Sequence, residues 1–124
     1  MPISLNATLR TARAQAIITE AGATAKLSVY TAGFTTLLYT STCGASLGTA
    51  AAGVITLGAV GNATAGATGG TAAIARLFKT DGTTMVIDGL TVGVSGQNVN
   101  ITNTTIAPGD VVTTSGGTIT EGNP

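Results

Sequence analysis

Ala73–Ile106, AIARLFKTDGTTMVIDGLTVGVSGQNVNITNTTI, reads as a run of short β-strands joined by tight turns. Asp81-Gly82 is its strongest local signal. A two-residue Asp-Gly turn accepts positive φ at both central positions and matches the twist of the flanking strands. In that register Phe78 faces Met85, Leu77 faces Val86 and Thr80 faces Thr83. Apolar residues fall on both faces of the hairpin: Ile74, Phe78, Met85 and Ile87 on one, Leu77 and Val86 on the other. A strand wetted on one side alternates more cleanly. The pattern therefore predicts a hairpin covered on both faces, by a second layer of this chain or by another chain. Asp88-Gly89 reads as the next turn. Leu90, Val92 and Val94 then alternate with Thr91, Gly93 and Ser95, the period of a half-buried strand. After a turn at Gly96-Gln97-Asn98, Val99 and Ile101 repeat that alternation. Turns about every 8–12 residues between short strands predict a mainly β chain, a β-sandwich or jelly-roll-like module.

Upstream, residues 4–21 carry the pattern of one N-terminal α-helix. Ser4 or Asn6 caps it and Gly22 ends it. At 100° per residue its apolar side chains sort into two stripes: Leu5, Leu9, Ala12 and Ala16 on one side, Ala7, Ala14, Ile18 and Ala21 on the other. A surface helix has one stripe, so either the helix lies between its own sheet and a partner, or the alanines are merely tolerated and only Leu5 and Leu9 anchor it. Ala25–Tyr30 reads as a strand with Leu27 and Val29 on one face, and Phe34–Tyr39 as the next. Residues 40–72 hold eight glycines from Gly44 to Gly70, and only Val54–Leu57 has strand character. A loop of that length in a compact domain is improbable unless it has a task, so this one is expected either to contact a partner or to be held by the chain's own sheet. Downstream, Ala107-Pro108-Gly109-Asp110 is a turn, and Val111–Thr120 is a strand interrupted at Gly116-Gly117.

The 124 residues suit one domain, with a helical arm over 1–24 and a β-sandwich over 25–124. Charged residues are 8% and aromatics 3%, against a usual charged content of about 25%. The mean hydropathy of +0.46 excludes the high-charge, low-hydropathy composition of disorder. A core this poor in large side chains gains little from burial per residue, which favours a homo-oligomer, a dimer or trimer, or a larger assembly. Residues 1–79 hold all five cations and only Glu20, a net +4, while residues 80–124 hold four acids and no cation, a net −4. Either the halves fold together, or a basic end meets an acidic end of a neighbouring copy. The few cations make no basic patch for nucleic acid. No apolar run of about 18 residues offers a membrane span. The N-terminus lacks a signal-peptide layout, so synthesis in a cytoplasm is expected.

Catalytic chemistry has little to stand on. The chain has no His, so Ser–His and Cys–His nucleophiles are excluded, and Cys43 is alone. Gly-rich segments lack the Lys-Ser/Thr that binds phosphate. Asp81, Asp88 and Asp110 are the one set able to converge on a hard cation, yet each sits next to a glycine or in a turn, where Asp is common anyway. No enzyme, cofactor or metal is expected.

Three segments carry a resemblance: Leu9–Gly33 (LRTARAQAIITEAGATAKLSVYTAG), Ala75–Val92 (ARLFKTDGTTMVIDGLTV), and the ending from Asn98-Val-Asn-Ile-Thr through Pro108-Gly-Asp to Gly-Gly-Thr-Ile-Thr-Glu-Gly-Asn123. Together they cover more than half of the chain, and the chain resembles small capsid decoration, or cement, proteins of tailed bacteriophages. The resemblance implies a virion structural protein that binds the assembled shell, bridges neighbouring major capsid protein subunits and stabilises them. The expected contacts are the helix (Leu5, Leu9, Arg10, Arg13, Ile18) and the 40–72 segment (Val54, Ile55, Leu57). The alternatives are another virion component, a head–tail connector or tail-tube protein, and a Thr-rich module that binds an extended surface.

Overall fold

The structure, a computed structural model, describes residues 6–120. The expected helix start at residue 4, Leu5 and the tail Glu121–Pro124 lie outside the described residues. The helix α1 spans Ala7–Ala21. Asn6 caps it: its side-chain oxygen accepts the N–H of Leu9 at 2.8 Å, serving one of the donors that a helix start leaves without an internal partner. Gly22, at φ 71°, ends the helix, and its N–H donates to the Ile18 carbonyl.

Thirteen short strands follow among the described residues. In order they are β1 (Lys26–Tyr30), β2 (Leu37–Thr42), β3 (Gly48–Ala51), β4 (Val54–Leu57), β5 (Ala63–Thr64), β6 (Gly70–Thr71) and β7 (Ile74–Phe78). Then come β8 (Met85–Gly93), β9 (Val99–Ile101), β10 (Thr105–Ile106), β11 (Val111–Val112), β12 (Thr114–Gly116) and β13 (Thr118–Thr120). The larger sheet has the order β12-β9-β8-β7-β1-β2, and a smaller one the order β13-β4-β3. Two ladders, β10-β6 and β11-β5, complete the set. One core lies between them. Ala14 and Ile18 of the helix enter it with Leu27, Val29, Leu77, Leu90 and Val99 of the larger sheet and Ile55 and Ile119 of the smaller. The chain is thus a mainly β module with one N-terminal helix.

The two sheets share the C-terminal strand segment. β12 pairs with β9 and β13 pairs with β4, so the chain changes sheets at Gly117. There the N–H of Leu57 donates to the Gly117 carbonyl at 3.0 Å. The Gly116-Gly117 break expected inside this strand is the crossover.

Residues 40–72 are not one loop. They hold the end of β2, the β3–β4 hairpin, β5 and β6, and the helix packs on that hairpin. The hairpin turns through Ala52 (φ 49°) and Gly53 (φ 83°), the two positive φ values a tight two-residue turn needs. Ala52 is strained there, because a Cβ crowds the following carbonyl in left-handed backbone. The helix holds it: the Thr11 hydroxyl oxygen accepts the Ala52 N–H at 2.8 Å, and Arg10 lies across Gly53. Alanine-rich sequence hides such a turn, since nothing in its composition announces positive φ. Ala52→Gly is expected to raise stability by about 0.5–1 kcal/mol, the relieved strain less the extra freedom of glycine in the unfolded chain, read as a higher urea midpoint.

The β7–β8 hairpin differs from the expected register by two bulges. Phe78 does face Met85, but Leu77 faces Ile87 rather than Val86, and Ala75 faces Leu90. Two successive extra residues on β8 produce this, the second at Asp88-Gly89, where Gly89 has φ 78°. Asp88-Gly89 is therefore a bulge within one nine-residue strand, not a turn between two. The tip is a longer loop than the expected two residues: Lys79 N–H donates to Thr84 O and Gly82 N–H to Lys79 O, both at 2.9 Å, and of the two central residues only Gly82 has positive φ. Asp81 organises this loop through its carboxylate, which accepts the N–H groups of Thr83 and Thr84 at 2.8 Å each and the Thr84 hydroxyl at 2.5 Å. After β8, residues 94–98 bring the chain back so that β9 pairs parallel to the end of β8. Phe34, expected in a strand, sits instead in a 3-10 turn at Ala32–Phe34.

The hydroxyl of Thr84, then the N–H groups of Thr84 and Thr83, lower the Asp81 pKa from 3.8 to about 2. A depressed carboxylate stabilises the fold above its unfolded pKa and loses that contribution as pH falls through the folded value. The Thr83 and Thr84 amide resonances are expected to titrate with a midpoint near 2. A midpoint at the ordinary 3.8 would show that these bonds do not form in solution.

Candidate interaction surface

The strand registers sort the larger sheet into an inner and an outer face. Leu27, Val29, Tyr39, Ala75 and Leu77 point inward and are buried. On the outer face, one cross-strand row runs Thr42, Lys26, Phe78, Met85. The next runs Thr40, Ser28, Arg76, and the third Leu37, Tyr30, Ile74, Thr91. Phe78, Tyr30 and Ile74 are half-buried, while Met85 is 47% and Leu37 51% exposed. The apolar residues expected on both sides of the hairpin are thus present, but the chain covers one side only. Ile87 is the exception, because the bulge at Val86 places it opposite Leu77.

A stack of side chains lies across this face. The Arg76 guanidinium sits 3.7 Å from the centre of the Phe34 ring and 5.6 Å from that of Tyr30, and the two rings meet edge to face at 5.3 Å. Arg76 Nε donates to Asp88 Oδ1 at 2.9 Å. Phe34 reaches this position with φ 57°, directly after Gly33 at φ 71°. Positive φ is an outlier for a bulky residue, and such strain persists only where surrounding contacts over-determine it. Here the contacts are the cation and the Tyr30 ring. The Asp88-Gly89 bulge sets the carboxylate beside Arg76, which is why a sequence turn signal ended up serving an ion pair.

The expected contact residues do not form one face. Ile18 is 6% and Ile55 0% exposed, so both are core residues closed to a partner, which corrects the expectation for those two. Val54 and Leu57 are half-buried on β4. Arg10 is half-buried over Gly53. Leu9 is 46% exposed, and with Ala12, Arg13 and Ala16 it forms the outward side of the helix. The inward stripe is Ala14, Ile18 and Ala21. The larger sheet's outer face was not among the expected contacts, although the two-sided apolar pattern of the hairpin was its signal.

Two ion pairs form among the described residues. Arg76 pairs with Asp88, and Lys79 with Glu20 at 2.8 Å, and the first of these joins the basic part of the sequence to the acidic part. The three aspartates do not meet: Asp81 holds its own loop, Asp88 holds Arg76, and Asp110 accepts the Ala107 N–H at 2.8 Å. No group of three or more His, Cys, Asp or Glu suited to a metal forms among the described residues. Cys43 is buried, and burial pushes its thiol pKa up against the opposing pull of Lys26. Burial likewise raises the Tyr39 phenol above its ordinary value. No helix among the described residues is long and apolar enough to cross a membrane. No protein-family model, curated protein or solved structure matches the chain.

Proposed function

We propose that this chain is a non-catalytic virion component of a tailed bacteriophage, made in the host cytoplasm, that binds the assembled capsid and reinforces it. The observation that carries the reading is the outer face of the larger sheet, where Met85 and Leu37 are about half exposed and Phe78 and Ile74 are only partly covered by the chain itself. The sequence resemblance to decoration proteins supplies the partner, the major capsid protein. A copy that touches two neighbouring shell subunits adds binding free energy only in the assembled state, which shifts the equilibrium toward the shell. The exposed helix stripe around Leu9 offers a second contact, on a different element from the first.

Light scattering of the purified protein, with and without empty phage heads, tests this. Co-sedimentation with heads at a fixed ratio per capsid subunit is expected. Met85→Glu places a charge at a half-exposed position. Burying that charge at a shell contact is expected to weaken head binding about tenfold or more, while the urea midpoint stays unchanged. Protein that stays in the supernatant at every head concentration would sink the capsid reading and favour a tail component or a surface-binding module.

A further inference from the structure

Two cations stand on the outer face, and they differ. Arg76 is committed to Asp88 and to the Phe34 ring. Lys26 has only the Thr42 hydroxyl, to which its Nζ donates at 2.9 Å, and it forms no ion pair with a carboxylate among the described residues. Its place is particular: it lies in one cross-strand row with Phe78 and, beyond that, Met85. An ammonium has three donors, and one is used. With Asp88 cancelling Arg76, Lys26 is left as the uncompensated charge of the face.

We propose that this face docks an acidic, apolar-flanked segment of a partner protein, with one Asp or Glu carboxylate seated on Lys26 and neighbouring apolar side chains on Phe78 and Met85. Covering Phe78 and Met85 removes water from around the ion pair and strengthens it, because the same two charges attract more in a lower dielectric. The assignment rests on the capsid reading for the identity of the partner and on the face for its chemistry. Nucleic acid is a poorer fit, since phosphate recognition needs several cations and here the second is already neutralised. A second copy of the chain is a poorer fit too. Four strands about 4.8 Å apart and five residues long offer a footprint of roughly 20 by 17 Å, well short of the ~800 Å² per side of a stable pair. The acid such a copy would present, Asp88, is also already held by Arg76.

The test uses the full chain, labelled with 15N, and a capped pentapeptide, acetyl-Leu-Thr-Glu-Thr-Leu-amide, in which the Leu and Glu side chains share a face when extended. Its Gln counterpart is the control. Shifts are expected at Lys26, Thr42, Phe78 and Met85, with the Glu peptide binding roughly fivefold more tightly than the Gln peptide and the difference shrinking with salt. Lys26→Gln is expected to abolish that difference while leaving the fold's spectrum intact. Equal affinity for both peptides, shifts confined to another surface, no saturable shift at millimolar peptide, or a preference that survives Lys26→Gln would each overturn the proposal. So would concentration-dependent shifts on this face without peptide, which would assign it to a second copy. Peptide selectivity without head binding would retain the acidic docking site and remove the capsid reading. Head binding with no peptide selectivity would do the reverse.

Discussion

Gly117→Ala is expected to destabilise the fold by about 3 kcal/mol or more, the upper end of what overpacking a filled site costs. Gly117 is where the C-terminal strand segment leaves the larger sheet for the smaller one. An added Cβ there would lie 2.1 Å from the carbonyl oxygen of Asn98 and 2.8 Å from its carbon, both backbone atoms that no rotamer change can move. Relief requires the backbone at Asn98 or the crossover to shift. Asn98 is pinned on both sides: its side chain donates to Thr118 O at 3.0 Å, and its Oδ1 accepts the Thr91 N–H at 2.9 Å. Moving the crossover breaks the Leu57-to-Gly117 hydrogen bond and loosens β13 from β4. Small domains have a total stability of only about 5–15 kcal/mol, so a loss of that size removes roughly a fifth to three-fifths of it and is read as a clearly lower urea midpoint. Gly82→Ala is the control. Gly82 also has positive φ (73°), but open space surrounds it. Its replacement is expected to cost only the backbone strain, about 1–2 kcal/mol. Urea midpoints of the two variants separate the effects, and equal losses would show that the close approach at Asn98 does not exist in solution.

Ile55→Ala is expected to cost about 2–5 kcal/mol, the range for cutting a buried aliphatic side chain back to its Cβ. Ile55 is fully buried at the centre of the smaller sheet, opposite Ala50 on β3 and Ile119 on β13. Its neighbours are small or already fixed in strands, so the space it leaves closes poorly. Leu9→Ala, on the exposed side of the helix, is expected to stay within about 0.5 kcal/mol. The pair separates two roles that sequence alone gave both residues, since each was an expected partner contact. A core residue lowers the urea midpoint of the isolated chain. A contact residue leaves it in place and weakens binding to heads. An unchanged midpoint for Ile55→Ala would overturn the core assignment.

The sequence pattern was most legible where side-chain period and turn chemistry acted alone. The helix end at Gly22, the burial of Leu27 and Val29, and the pairing of Phe78 with Met85 all follow from local rules. Asp88-Gly89 shows where such rules stop. The dipeptide supplies a positive φ, but a tight turn and a bulge both use one, and the choice depends on whether a neighbouring strand continues past it. β7 does continue, pairing Ala75 with Leu90 and Ile74 with Thr91. The β3–β4 hairpin was hidden for the opposite reason. Its turn uses Ala52 against its own preference, and only the docked helix, through Thr11 and Arg10, makes that conformation hold.

The candidate surface divides in the same way. Apolar residues on both faces of the hairpin were visible in the sequence as a demand for two layers of cover. Which face the chain covers was not, because bulges at Val86 and Asp88-Gly89 reassign side chains between faces, and a one-residue slip in a strand inverts every side chain after it. By itself, then, the sequence determined a mainly β chain with one N-terminal helix, because hydrophobic period and helix caps act over a few residues. Only the tertiary structure decided that the helix closes over the β3–β4 hairpin, that Gly117 carries the chain between sheets, and that Lys26 shares a partly exposed row with Phe78 and Met85. Each of those depends on residues far apart in the chain, and local propensity holds no information about which of them meet.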